Sequence, residues 1–300
     1  MLARNKNGLF DELELSGLQR TAKYTLAHAD AFAWMNAQPE CSVHAIVTDP
    51  PYGLKEYTEH ETKKLRNGNK GGIWRIPPAG RSPLPRFTVL TASDYEDLES
   101  FFTEFAQAAM RILVPGAHVM IATNPLLSHV VYVPMLKAGF EKRGEIIRLV
   151  QTLRGGDRPK SAEKEFPDVS VMPKSQWEPW GLFRKPCEGR VHDNLRKYGT
   201  GGLRRISDEL PFGDVIRSNP TRKEERAISN HPSLKPQALM RQLVRGALPL
   251  GTGVVLDPFM GGGSTIAAAM AVGYESIGVE RDAGFFQIAQ EGIPGLAALT

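Results

Sequence analysis

A chain of 300 residues, 41% of them hydrophobic, can form one large α/β domain with a substantial core, with or without insertions. No apolar run approaches the roughly 18 residues of a spanning helix, the first residues carry no signal-peptide core, and Cys41 and Cys187 are too few for a disulfide framework or a structural zinc site; a cytoplasmic protein without metal is expected. The net charge of +4 is uneven: Lys and Arg number 8 against 3 Asp and Glu in residues 53–90 and 19 against 14 in residues 141–230, while the rest of the chain is net acidic, so these two segments are the candidates for a polyanion-binding surface.

In chain order, residues 24–30 read as a short strand and 31–38 as a helix. The run S-V-H-A-I-V-T, residues 42–48, is a buried strand that delivers Asp49 to its carboxyl end. Residues 95–113 carry Leu98, Phe101, Phe102, Phe105, Ala109 and Ile112 on one helical stripe, started by Ser93 and Asp94 and stopped by Pro115-Gly116. A strand over 117–123, a helix over 134–138 and a strand over 146–153 follow. Residues 54–92 and 154–230 have no sustained period and contain turn signals such as N-G-N-K-G-G and Y-G-T-G-G-L-R-R, so both are expected as irregular insertions hung on the sheet. They are also the two basic segments. Regular structure returns with a helix over 237–248, entered through Pro236. Strands over 254–256 and 275–279 and helices beginning at Ser264-Thr265 and spanning 283–290 complete the chain. This alternation predicts a mostly parallel sheet flanked by helices.

The run V-V-L-D-P-F-M-G-G-G-S-T, residues 254–265, is a strand ended by Asp257, a tight glycine turn and a helix start, the first unit of a nucleotide-binding fold. The next strand ends at Glu280, seventeen residues after Gly263, close to the ~20-residue offset at which a carboxylate grips ribose hydroxyls. The turn lacks the G-x-G-x-x-G spacing of a dinucleotide site and the Lys of a phosphate-binding loop. A nucleoside without phosphates fits better, and S-adenosylmethionine is the common one.

Three motifs in order, D-P-P-Y (Asp49 to Tyr52), H-P-S-L-K-P (His231 to Pro236) and D-P-F-M-G-G-G-S-T (Asp257 to Thr265), resemble the amino-methylating (N6-adenine/N4-cytosine) DNA methyltransferases of the β arrangement. The glycine turn departs from the family's more usual G-S-G-T-T. The resemblance covers nearly the whole chain and implies a Rossmann-like, doubly wound, mostly parallel sheet. The implied fold is a circularly permuted S-adenosylmethionine-dependent methyltransferase fold, with residues 1–153 and 231–300 expected as catalytic domain and 54–92 and 154–230 as inserted DNA-recognition segments. The implied partner is double-stranded DNA, and a homodimer stays open. Because the C-terminal part supplies only two strands, the strand beyond them is expected from the N-terminal part; residues 24–30 are the candidate, which would put Asp30 near the cofactor adenine. Residues 42–48 would lie on the other side of the glycine-loop strand.

The amine of adenine or cytosine is a poor nucleophile, because its lone pair is delocalised into the ring. Asp49 can accept one of its hydrogens and the Pro50 carbonyl the other, Pro51 stiffens the main chain, and Tyr52 offers a face on which a flipped base can stack. By resemblance, Ser233 and Lys235 approach the methionine end of the cofactor, and Asp257, Pro258, Phe259, Gly261, Gly263 and Glu280 complete its site. Trp74, Trp177 and Trp180, with Arg154, Arg158, Arg184, Arg190, Arg204 and Arg205, are the candidates for contact with DNA. Adenine N6 is the expected acceptor, since Asp in this motif is more usual for adenine and Ser for cytosine N4. An RNA or protein amide methyltransferase shares the chemistry, although its motif usually begins with Asn. C5 chemistry, which needs a thiol such as Cys187, is disfavoured by D-P-P-Y.

Overall fold

The computed structural model describes residues 18–20, 24–51, 92–150, 156 and 158–299. Tyr52, Trp74, Arg154 and nearly all of the first basic segment lie outside them. The described strands form one nine-stranded sheet in the order β1-β2-β9-β8-β3-β4-β6-β5-β7. They are β1 (Leu18–Arg20), β2 (Tyr24–His28), β3 (Val43–Thr48), β4 (Leu113–Ala122), β5 (Glu141–Leu149), β6 (Trp177–Arg184), β7 (Val215–Arg217), β8 (Val254–Asp257) and β9 (Glu275–Glu280). Only β1 and β6 run against the others. Two expectations from strand order are met. β2 pairs with β9, Tyr24 opposite Ser276 through His28 opposite Glu280, and β3 lies on the far side of β8, with Ile46 opposite Leu256.

Both faces of the centre are buried, as parallel strands require. Along β3, Ile46 points to one core, while Ala45 and Val47 point to the other; on β4, Val119 and Ile121 alternate with Met120 and Ala122 in the same way. The first core is closed by α1 (Ala31–Ala37), α2 (Ala92–Ile112) and α3 (Ser128–Lys137), with Trp34, Phe102, Phe105 and Met135 at its heart. The second is closed by α6 (Gln237–Ala247) through Leu239, Met240, Leu243 and Val244. A third cluster joins α7 (Ser264–Val272) and α8 (Ala283–Ala298) to β2 through Leu26, Ile266, Phe286 and Ile293. Two short helices, α4 (Val191–Tyr198) and α5 (Lys223–Ile228), complete the described chain. Among the described residues no helix is long and apolar enough to cross a membrane.

Several boundaries differ from expectation. α2 starts at Ala92, three residues before the expected residue 95, so Ser93 and Asp94 lie inside its first turn; it hands over directly to β4 at Leu113, so Pro115 and Gly116 lie within a strand rather than ending a helix. α3 begins six residues before Pro134, which sits inside it. α8 runs on to Ala298 rather than stopping at residue 290.

The larger difference concerns residues 154–230, expected to be irregular. They supply β6, which lies inside the sheet between β4 and β5, and also β7, α4 and α5. Pro179 and Gly181 hid β6, because both read as strand breakers. Gly181 is there for close approach: a Cβ on it would lie 2.6 Å from Tyr132 Cε1 on α3.

Candidate active site

Parallel strands deliver their following residues to one edge of the sheet, and here β3 and β8 end side by side. The Thr48 hydroxyl donates to Asp257 Oδ1 at 2.7 Å, and the Phe259 N–H donates to the same oxygen at 3.2 Å. Asp257 is buried, and burial pushes its carboxyl up to about 6 against the hydrogen bonds from Thr265 and Thr48 that hold it down. Asp49 follows Thr48 directly, its side chain 19% exposed; Pro50 is buried and Pro51 exposed.

The glycine turn folds against β9. Met260 N–H donates to the Val279 carbonyl, Gly261 N–H to Glu280 Oε2 at 3.0 Å, and Glu280 Oε1 accepts the Asp282 N–H at 2.8 Å. Gly261 (φ 48°) and Gly263 (φ 81°) take left-handed conformations, and Gly263 caps α7. Pro258 is buried, and Phe259 packs its half-buried ring against Phe32, Phe101 and Phe105.

The segment 231–236 lies over this turn. A Cβ on Gly261 would fall 2.8 Å from His231 Cε1, and one on Gly262 would fall 2.5 Å from His231 Cβ, so the ring rests directly on bare backbone. Burial pushes His231 down to about 4, leaving a neutral imidazole whose Nδ1 accepts the Ser233 N–H. Ser233 is itself exposed. Lys235 N–H donates to Ser264 Oγ at 3.1 Å, and the Gln237 side chain donates to the Ser264 carbonyl, which ties the segment to the start of α7. The Lys235 ammonium then reaches Asp49 Oδ2 at 2.6 Å and lies 3.8 Å from Glu178 Oε2. The two carboxylates raise Lys235 further against its burial.

The structure therefore gathers Asp49, Pro50, Pro51, Lys235, Asp257, Pro258, Phe259, Gly261, Gly263 and Glu280 at one edge, with Ser233 at its rim. Asp30 lies at the end of β2 as placed, but its Oδ1 caps α1, accepting the Phe32 and Ala33 N–H groups at 3.0 Å each. Sequence reasoning missed Thr48, His231 and Glu178. Thr48 adjoins a motif and His231 lies within one, so both were within reach, whereas nothing local marks Glu178.

Two of the expected DNA contacts, Trp180 and Arg184, lie in the interior. Trp180 is wholly buried, and its Nε1–H donates to Glu178 Oε1; Arg184 is buried, bonded to Glu141 and to the Gly201 carbonyl. Arg204 is engaged with the Tyr274 hydroxyl at 2.6 Å. Arg158, Arg190, Arg205 and Trp177 remain exposed. Among the described residues no group of three or more His, Cys, Asp or Glu could hold a metal ion.

A carboxylate at the strand edge beside a glycine turn, with acidic groups at Asp257 and Glu280, defines an α/β protein built to take a nucleoside-like ligand at its sheet edge. The DNA methylase family model of the N6/N4 type matches residues 43–291, and the chain belongs to this family of amino-methylating DNA methyltransferase enzymes. It is 22% identical over 274 residues to the type II methyltransferase M2.DpnII of Streptococcus pneumoniae, covering 90% of this chain and 89% of that one. Its fold is shared by the cytosine-N4-specific PvuII DNA methyltransferase (TM-score 0.62, 12% identity, 96% of this chain and 91% of that one). An M1.HpyAVI–SAM complex is also similar (TM-score 0.52, 17% identity, 89% and 98%).

Proposed function

We propose that this enzyme is a site-specific DNA methyltransferase that moves a methyl group from S-adenosylmethionine to N6 of an adenine flipped out of double-stranded DNA, in the cytoplasm. The observation that carries the reading is the convergence of Asp49, Lys235 and the 261–263 turn at the carboxyl ends of β3 and β8. The donor set suits this cofactor. Glu280 is pinned by two backbone N–H groups, and each of its oxygens keeps acceptor capacity for ribose hydroxyls. The turn itself carries no Lys or Arg for a phosphate, and buried Asp257 favours a cationic ligand. When bound, S-adenosylmethionine supplies a methyl group on a sulfonium. The protein supplies placement: Asp49 and the Pro50 carbonyl receive the two amine hydrogens and aim the nitrogen lone pair, and Tyr52 stacks on the base.

Adenine is favoured by Asp at position 49, and the type II relatives suit a restriction–modification setting. The test incubates DNA with labelled S-adenosylmethionine and identifies the modified nucleoside by mass spectrometry. N6-methyladenine is the expected product. N4-methylcytosine would overturn the choice of base, and label in RNA or protein alone would overturn the DNA reading.

Asp257 makes cofactor binding dependent on pH. Its carboxyl is pushed up to about 6, so acidification through that range neutralises a charge that attracts the sulfonium and amino groups. Affinity measured by calorimetry should fall by roughly threefold to tenfold between about pH 7.5 and 5.5. Asp257→Asn should be weaker at neutral pH and flatter across this range, and a wild-type affinity that stays level would remove Asp257 from the cofactor site.

A further inference from the structure

Glu178 belongs to no motif, yet its carboxylate joins the charged cluster around Asp49. Strand register explains how. β3 and β4 run parallel with Thr48 opposite Ile121, and β6 returns antiparallel with Trp180 opposite Ala122. Glu178, two residues before Trp180, therefore falls just past the carboxyl end of β4, on the edge that also carries Asp49. An antiparallel strand inserted into a parallel sheet presents its beginning where its neighbours end.

The Glu178 side chain is clamped. Its Oε1 accepts the indole N–H of buried Trp180 at 2.8 Å, and its Oε2 accepts from Arg148 Nη1 at 3.1 Å, across the β5–β6 pair in which the two residues are directly opposite. Arg148 is 7% exposed at its side chain, and its Nε has no partner among the described residues, so Glu178 is the carboxylate on which this guanidinium depends. Lys235 enters from the 231–236 segment, 2.6 Å from Asp49 and 3.8 Å from Glu178. The charges alternate through the cluster as Asp49, Lys235, Glu178 and Arg148. Two other titratable groups face it: Asp257 beside Asp49, and His231, whose buried ring is neutral.

We propose that Glu178 is a positioning residue for methyl transfer: by neutralising Arg148 and drawing on Lys235, it keeps the Lys235 ammonium seated on Asp49 and so fixes the carboxylate that receives the target amine. The proposal rests on the reading of Asp49 as the acceptor group. Without the Glu178 charge, Arg148 would act on Lys235 as an uncompensated like charge in a poorly solvated site, where such interactions are strongest. Lys235 would then lose its proton, and its hold on Asp49, at a lower pH than in the wild type.

Glu178→Gln is the test, with two readouts. The first is methyl transfer to DNA across pH. The second is the pH dependence of Lys235 acetylation by acetic anhydride, followed by peptide mass spectrometry, which requires no turnover. The expected result is kcat lower by about tenfold, KM for cofactor and DNA within about threefold, and the alkaline limb displaced by about one pH unit towards acid. Lys235 acetylation should move in the same direction. Glu178→Asp keeps the charge but withdraws it by one methylene, and it should show a smaller displacement of the same sign; if the Gln variant does not fold, this variant decides. An unchanged acetylation profile overturns the proposal, and so does a fall in kcat without a shift of the alkaline limb, which marks a structural role only. Wild-type protein that labels no DNA, while Lys235 acetylation shifts as expected, overturns the acceptor reading and leaves the coupling of Glu178 to Lys235 intact.

Discussion

Replacing Asp49 with Ala is expected to lower methyl transfer by about a thousandfold or more, while S-adenosylmethionine affinity changes only a few-fold. The aromatic amine can attack only when its nitrogen is drawn out of conjugation and held in line with the methyl group. In the proposed mechanism Asp49, at the end of β3, is the charged acceptor that does this, whereas Asp257, Glu280 and the glycine turn would hold the cofactor. The substitution also removes the partner that Lys235 holds at 2.6 Å. That ammonium is largely buried, and its next carboxylate, Glu178, is 3.8 Å away, so some loss of stability should accompany the loss of rate. Asp49→Asn separates the two effects: it keeps the shape and one carbonyl acceptor but loses the charge. Single-turnover rates with labelled cofactor, beside calorimetric binding, make the comparison. Near-normal turnover in either variant would sink the mechanism.

The largest effect on stability is expected at Glu225. This carboxylate is wholly buried on α5, and its two oxygens serve two helix starts: Oε2 accepts the Arg222 N–H at 2.6 Å, and Oε1 accepts the Gln237 N–H, the first of α6, at 2.7 Å. Glu225→Ala leaves both donors without their acceptor and opens a void, for a loss of about 3–5 kcal/mol. Glu225→Gln keeps one acceptor and turns an amide N–H towards the other donor, so its loss should be about half as large. Urea unfolding midpoints measure both. Because α6 follows directly from the 231–236 segment that carries Lys235, activity should fall with stability in the Ala variant. An Ala variant as stable as the wild type would show that α6 starts without this cap.

The parts legible in the sequence were those where consecutive residues carry the signal. Val43–Thr48 and Val254–Asp257 are largely apolar strands with an aspartate at or just after the end, and chain order pointed to residues 24–30 as the strand that pairs with β9. Helix ends were read less well, since α2 passes into β4 without a break and α3 holds Pro134 within it. β6 was illegible because Trp177–Arg184 contains Pro179 and Gly181. Its place is stabilised by partners on both sides and by Tyr132 against Gly181, contacts that no window of sequence contains.

The same division runs through the site. Asp49, Asp257 and Glu280 could be named from one strand each, because a strand places its last residue at the sheet edge whatever lies beside it. Which groups meet there depended on contacts across the fold: Lys235 on Asp49, Thr48 on Asp257, and Glu178 with Arg148 and Trp180 behind Lys235. The same contacts reassigned Trp180 and Arg184 from candidate DNA contacts to the interior. Local pattern carries the identity of a strand and of the residue at its end. Distance, desolvation and charge pairing arise only once β3, β6, β8 and the 231–236 segment share one edge, and they decide what each of those residues can do.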